Sequence, residues 1–486
     1  MGAWLALALA PAPAVKSADA TAAVAAAGQS GTVEGRVLNT ISGQYVKNAR
    51  VTIEGTTLEA FTNDFGEYRF ADVPTGAVTV KVSYTGFEPA REAVPVQAGQ
   101  SSRRDFNLGP RGQTVDPQAP RVKLDPFMVA GTRETNGNNI AIAEQRFAPN
   151  VKNVVAADAF GDLTEGNIGE LMKFLPGVTV DFRGEAIGSV AVRGIGANFT
   201  GVSQDGARLA SGEFGRVFQF EQVSVNNISR VEVTKVPTPD VPSDSMGGSV
   251  NMVSKSAFES ARTEFRYRAY FSLNSNAPDI FKRTPGPEDT GSYKVRPGFD
   301  FSYIAPLTPN LGLVVNGLSS HAFIFQHAPT RIWRFTGAGA TPTAPYLRQF
   351  NYSLNPKTTD RESVSLKVDW RPAPDHVLSF GAQFAYYSAF FDERTRPIDA
   401  GSSNVSAAAG GANLTFGPTF THGATGRGTV ALTRFSQNKL GSLIGGNLAH
   451  RYTGRKWEIQ SSLSISKSKT CIATRPAATF STSGRA

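Results

Sequence analysis

Ile228-Ser229-Arg230-Val231-Glu232-Val233-Thr234-Lys235 puts apolar residues at alternate positions. That period of two marks a half-buried strand. A proline-rich run, Val236-Pro237-Thr238-Pro239-Asp240, follows it. Next comes Ser245-Met246-Gly247-Gly248-Ser249-Val250-Asn251-Met252-Val253, a glycine turn opening a second strand. Upstream, Ile168, Leu171, Met172 and Leu175 have helical spacing within 163–178, and Pro176-Gly177 stops the helix. Val190-Ala191-Val192-Arg193-Gly194 begins another strand, and Asp205-Gly206 supplies hairpin chemistry. Helix, strand, hairpin, strand and glycine turn describe an α+β domain over about 138–256. Gly194 and Gly196 lack the third glycine and the following helix of a dinucleotide loop.

The same order is a helix ending in Leu175-Pro176-Gly177-Val178, an Arg193-Gly194 strand, an Asp205-Gly206 hairpin, the Arg230–Val233 strand and the Gly247–Asn251 turn. It resembles the plug domain of TonB-dependent outer-membrane receptors, and the Lys235–Asp240 run resembles one subgroup of them. The resemblance implies a plug seated in a wide strand barrel, able to shift when pulled. It implies that Arg193 and Arg230 bridge plug to barrel glutamates, although each also suits a solvated strand arginine. It places ligand contacts on outward loops, here Arg183, Glu185, Glu213, Phe214 and Arg216. The mixture of glycine and charge around them suits any surface loop as well.

Downstream, Phe265, Tyr267, Ala269, Phe271 and Leu273 alternate with Glu264, Arg266, Arg268, Tyr270 and Ser272. Val364, Leu366, Val368 and Trp370 alternate with Ser363, Ser365, Lys367 and Asp369. Leu378 to Tyr386 and Trp457 to Ile465 repeat the pattern. An apolar face ending in aromatics over about 10 residues is the signature of a transmembrane β-strand. Pro372-Ala373-Pro374-Asp375 reads as a short turn, and 275–295, 323–345 and 392–412 as long loops. At roughly 20 residues per strand plus loop, 260–470 holds on the order of 10 strands. A plugged transporter needs about 22. An incomplete antiparallel transmembrane barrel is therefore expected, followed by an irregular tail at 471–486 and a truncated chain.

On the N-terminal side, 32–108 alternates strand runs with turn signals, as in Val78-Thr79-Val80-Lys81-Val82-Ser83-Tyr84. Gly35-Arg36-Val37, Thr62, Asp64, Gly66, Tyr68, Phe70, Val73-Pro74, Gly76 and Gly86-Phe87 together resemble the carboxypeptidase regulatory-like domain, a prealbumin-like β-sandwich. Residues 109–135 form a linker. Within it Asp125, Pro126, Phe127, Met128, Val129 and Ala130 sit where such receptors carry the TonB box, a peptide that adds to a partner's sheet edge. Pro126 removes one donor from such an edge, and an edge strand of a neighbouring domain is the plainer reading. Residues 1–20 carry a short apolar core and a small-residue cleavage site, which reads as an export signal.

Composition narrows the classes further. A 40% hydrophobic content supports packed cores, so whole-chain disorder is excluded. One cysteine, Cys471, leaves no disulfide framework or paired-cysteine metal site. The histidines fall in no zinc-hydrolase pattern, and the +9 net charge is not gathered into a patch that would bind nucleic acid. No apolar run approaches the roughly 20 residues of a membrane helix, so any membrane crossing falls to strands. The expectation is a mostly β chain in the outer membrane with no catalytic residues, metal or cofactor. Resemblance implies energised uptake of a scarce ligand, such as an iron–siderophore, cobalamin or an oligosaccharide. It implies partnership with TonB, its proton-driven inner-membrane complex and outer-membrane lipid. A surface adhesin or glycan-binding protein using the sandwich is the rival.

Overall fold

A computed structural model describes residues 30–482, apart from 41, 110–140, 147, 149, 158–166, 184–185, 237–243, 286–290, 406–409 and 455–456. The export signal and the box-like run 125–130 lie outside the described residues.

The first unit contains β1 (Ser30–Asn39), β2 (Arg50–Ile53), β3 (Glu59–Phe61), β4 (Glu67–Pro74), β5 (Gly76–Ser83), β6 (Ala90–Val96), β7 (Ser101–Arg103) and β8 (Phe106–Leu108). One sheet runs β4-β1-β7, with β8 also on β1, and the other runs β3-β2-β5-β6. Strict alternation along β1 and β5 turns Val33, Val37, Val80 and Val82 inward against Val51 and Phe106, all fully buried. Each such side chain contributes about 1.5–3 kcal/mol. Ala143, from the helical residues 141–146, packs into the same core. The chain therefore leaves the sandwich after β8 and returns to it before entering the next unit.

The middle unit contains β9 (Lys152–Ala156), a helical turn (Gly169–Met172), β10 (Val178–Arg183), β11 (Ala186–Val192), β12 (Thr200–Gln204), β13 (Ala207–Arg208), β14 (Ile228–Thr234) and β15 (Gly248–Ser254). Its sheet order is β13-β12-β15-β14-β9, beside a β10-β11 hairpin. The expected helical face is the one buried: Ile168, Leu171 and Met172 are inaccessible and join Val231, Val233, Val250 and Met252 in one core. Among the described residues the helix is a single turn. Gly248 has to be glycine, because φ is +141° and a Cβ would lie 2.8 Å from both the Thr234 carbonyl and Val192.

The third unit is one antiparallel sheet of seven strands: β16 (Glu264–Ser272), β19 (Arg296–Thr308), β20 (Leu311–Arg334), β21 (Tyr346–Ala373), β22 (His376–Asp399), β25 (Thr429–Thr453) and β26 (Glu458–Thr482). Two small hairpins, β17–β18 (Thr284–Pro285, Gly291–Ser292) and β23–β24 (Thr415–Phe416, Thr421–His422), decorate the connections. Register puts the turns at 309–310, 374–375 and 454–457 on one side and the long connections on the other.

Three expectations about this unit change. Seven strands replace ten, because β20, β21, β22, β25 and β26 run 24–28 residues rather than about ten. The loops expected at 323–345 and 392–412 begin later, since 323–334 and 392–399 are strand. The tail is regular as far as Thr482, paired through Thr482 with Val430 of β25.

The two faces of the sheet differ. Val364, Leu366 and Trp370 on β21, Phe380 and Phe384 on β22, Ile444 and Leu448 on β25, and Leu463 and Ile465 on β26 are exposed on one face. Between them Ser365, Lys367, Asp369, Gln383, Leu443 and Ser466 turn toward the middle unit.

Candidate functional site

The inward face of the sheet meets the middle unit almost entirely through hydrogen bonds and ion pairs. Glu221, 1% exposed, is the deepest. Its carboxylate accepts from Lys439 Nζ at 2.5 Å and from the Tyr387 hydroxyl at 3.0 Å, and its carbonyl accepts from Arg361 Nε. Lys439 also reaches Glu213 at 2.9 Å. Burial pulls the Glu221 carboxyl up, but Lys439 and Lys357 outweigh it and hold the group below its ordinary value.

A second contact lies toward the short-turn side. Asp205 accepts from the Ser254 amide and hydroxyl, and Lys367 donates to the same hydroxyl at 2.8 Å. Asp369 accepts from Ser256 and Ser379, both at 2.6 Å. Asn226 donates to the Gly317 carbonyl, and Gln222 bonds Thr470 and Ser468 on β26. A cleft between the two bodies is lined by Asp205, Arg208, Asn316, Lys367, Gln383 and Asn447. Polar groups satisfied only across an interface make it specific in position without the adhesion of a greasy seam.

A third cluster joins all three units. Arg230 of β14 bonds Glu232 at 3.0 Å, Glu144 at 3.4 Å and Asp64 of the sandwich at 3.8 Å. Lys47 bridges Asp64 and Glu144, and Arg451 of β25 bonds Asp64 at 2.5 Å. Burial alone would lift the Asp64 carboxyl, but Lys47, Arg451 and Arg230 together hold it well below the usual carboxylate range. Burial likewise opposes the charge on Arg230, and Glu144 and Glu232 more than restore it, raising its pKa.

The expected site residues fall unevenly on this arrangement. Arg230 is in the third cluster, but its partners are its own strand, Glu144 and the sandwich. Arg193 donates to the carbonyls of Gly247 and Met246 and so holds the glycine turn. The contacts of both arginines thus differ from the expected bridges to barrel glutamates. The charge pairs that do cross from middle unit to sheet, Glu221–Lys439, Glu213–Lys439 and Asp205–Lys367, carry the reverse polarity: acids below, lysines on the wall. Glu213 is in the outward loop and engaged with the wall. Arg216 is exposed and lies 3.7 Å from Asp244. Arg183 ends β10 and Phe214 begins a short 3-10 turn. Glu185 lies outside the described residues. Among the described residues no group of three His, Cys, Asp or Glu is placed to hold a metal.

Residues 144–249 match the TonB-dependent Receptor Plug Domain. The middle unit is a TonB-dependent receptor plug. Residues 32–109 match the Carboxypeptidase regulatory-like domain, which is the sandwich. No curated protein matches the chain in sequence. Among solved structures, a variant of the ferric enterobactin receptor PfeA from Pseudomonas aeruginosa aligns at 14% identity and TM-score 0.35, covering 68% of this chain and 50% of that one. The siderophore receptor PirA from Pseudomonas aeruginosa aligns at 14% identity and TM-score 0.29, covering 67% and 60%. PirA from Acinetobacter baumannii aligns at 10% identity and TM-score 0.30, covering 68% and 59%. The chain thus spans about half to three fifths of the structures it matches. The plug and sandwich domains, with a mostly β architecture, carry no assembled catalytic group among the contacts described above.

Proposed function

We propose that this chain is the receptor part of an outer-membrane uptake system energised through TonB. The observation that carries the reading is the two-sidedness of the seven-stranded sheet around a plug. One face is a belt of exposed apolar and aromatic residues suited to lipid, and the other is a polar wall bonded to the plug. A soluble sheet of this size would cover its apolar face and wet its polar one.

In this reading the short turns and the sandwich face the periplasm, and the long connections face outward. A scarce ligand (an iron–siderophore, cobalamin or an oligosaccharide) enters from the long-loop side and meets the plug loop around Glu213 and Arg216. Residues 125–130, between sandwich and plug, offer an extended edge to TonB. Its pull is driven by the inner-membrane proton-linked complex. The polar plug–wall contacts then exchange for water at modest net cost, since each hydrogen bond is worth only about 0.5–1.5 kcal/mol net. No bond of the ligand is made or broken.

Deletion of residues 122–131 tests this reading. Cells should lose uptake across a panel of ferric siderophores, cobalamin and malto-oligosaccharides while retaining surface binding of the one recognised. Uptake that survives the deletion would remove the TonB-driven reading and favour adhesion.

A further inference from the structure

The sandwich touches the rest of the molecule through one turn, and that turn is built to project. Asn63 accepts from the amides of Phe65 and Glu67, at 2.9 and 3.0 Å, so the turn is closed by its own backbone. Gly66 is at φ +70°, where a Cβ would strike Tyr45. The side chains of Asp64 and Phe65 are therefore not needed to close it, and both point away from the sandwich core. Phe65 meets Phe258 edge-on at 5.6 Å and Val377 at the start of β22. Arg371 and Arg451, from the short-turn ends of β21 and β25, lie over the Phe65 ring. Asp64 is shared by Lys47, Arg230 and Arg451. Around this tip, Arg371 pairs with Glu67 at 2.7 Å and Arg69 with Asp375 at 2.5 Å.

Chain order gives this junction a mechanical meaning. Residues 110–140 leave the sandwich after β8, and the chain next returns at Ala143, in the sandwich core, and Glu144, paired with Lys47. A pull on that segment loads the sandwich at both ends before it reaches plug strand β14.

We infer that the sandwich is a latch on the plug. Its Asp64–Phe65 tip pins β14 and the Ser256–Glu259 hinge to the short-turn ends of β21, β22 and β25, and the plug moves only after the tip undocks. The latch rests on the receptor reading for its purpose, but its existence is a property of the folded chain.

Amide hydrogen exchange on the full chain in detergent micelles tests it. In Phe65→Ala and Asp64→Asn, amides of Ile228–Thr234 and 254–259 should exchange at least tenfold faster than in the parent, while those of β1 and β5 keep their protection. Arg451→Ala removes the sheet's half of the contact with the sandwich turn untouched, and should give the same result. Unchanged exchange in β14 for Arg451→Ala and Phe65→Ala would overturn the latch. So would loss of protection confined to the sandwich strands. Uptake assays on the same variants separate the two claims. A parent that exchanges as described but transports nothing would sink the receptor reading and leave the latch standing.

Discussion

Glu259 shows how much a single carboxyl can report on the junction. Burial lifts it, Arg230 and Lys367 pull it down, Asp64 and Asp369 push it up, and the balance leaves it at about 7. Its folded pKa is above its unfolded one, so the folded state binds more protons between about 4.5 and 7. Stability therefore falls as pH rises through that window. Glu259→Gln should raise the melting temperature at pH 8 by ~2–4 °C and leave it unchanged at pH 4.5. A pH-independent effect in thermal melts would contradict the assignment. Glu221 works the other way. Its charge is compensated by Lys439 and Tyr387, so removing one partner strands a buried charge at a cost of about 3–5 kcal/mol. Lys439→Met should accordingly open the 211–222 loop to limited trypsin digestion, and adding Glu221→Gln should restore much of the protection. Neither residue was legible beforehand, since 218 positions separate them and no local pattern points from one to the other. Arg230 stood out through its motif, but its partners come from a turn and a helix whose docking only the tertiary fold determines.

At the scale of the element, alternation was readable and length was not. The faces predicted for β16, β21 and β22 are the faces observed, because period two and a one-sided environment leave a strand no other register. Strand ends were misplaced because Pro329, Pro356 and Pro397 were read as breakers. Here they sit inside long strands, and Asn355 and Pro356 are skipped in the ladder between β21 and β22. Polar residues such as Asp360 and Glu362, opposite His321 and Ser319, carry the strand past the apolar belt, and their side chains pair with those two residues. The belt itself makes a depth-dependent prediction. Leu366→Arg, in its middle, should destabilise the sheet in lipid vesicles by ~2–4 kcal/mol by urea titration, and Ile398→Arg, exposed beyond it, by ~0–1. Equal costs would mean that the exposed face does not lie in hydrocarbon.

For the whole molecule, the three units put opposite demands on one sheet, and its long axis reconciles them. The short-turn end holds the sandwich through Arg69–Asp375 and Arg451–Asp64, the middle holds the plug, and the far end rises free of both. Trp370 marks the first of these levels, paired with Leu311, and Trp333 lies 22 residues further along β20. At ~3.3 Å per residue those tryptophans are roughly 70 Å apart along the strand. A tilt of ~45° still leaves roughly 50 Å of height, against a hydrocarbon core of ~30 Å. Only one of them can therefore sit in the bilayer, and the aromatic belt assigns that place to Trp370. In vesicles of brominated phospholipid, a variant retaining only Trp370 should be strongly quenched and one retaining only Trp333 should fluoresce as in unbrominated lipid. Quenching of Trp333 to the same degree would place the far end of β20 in lipid. The height available to the plug, the sandwich and the short turns would then be lost, and with it the assignment of sides on which the uptake reading depends.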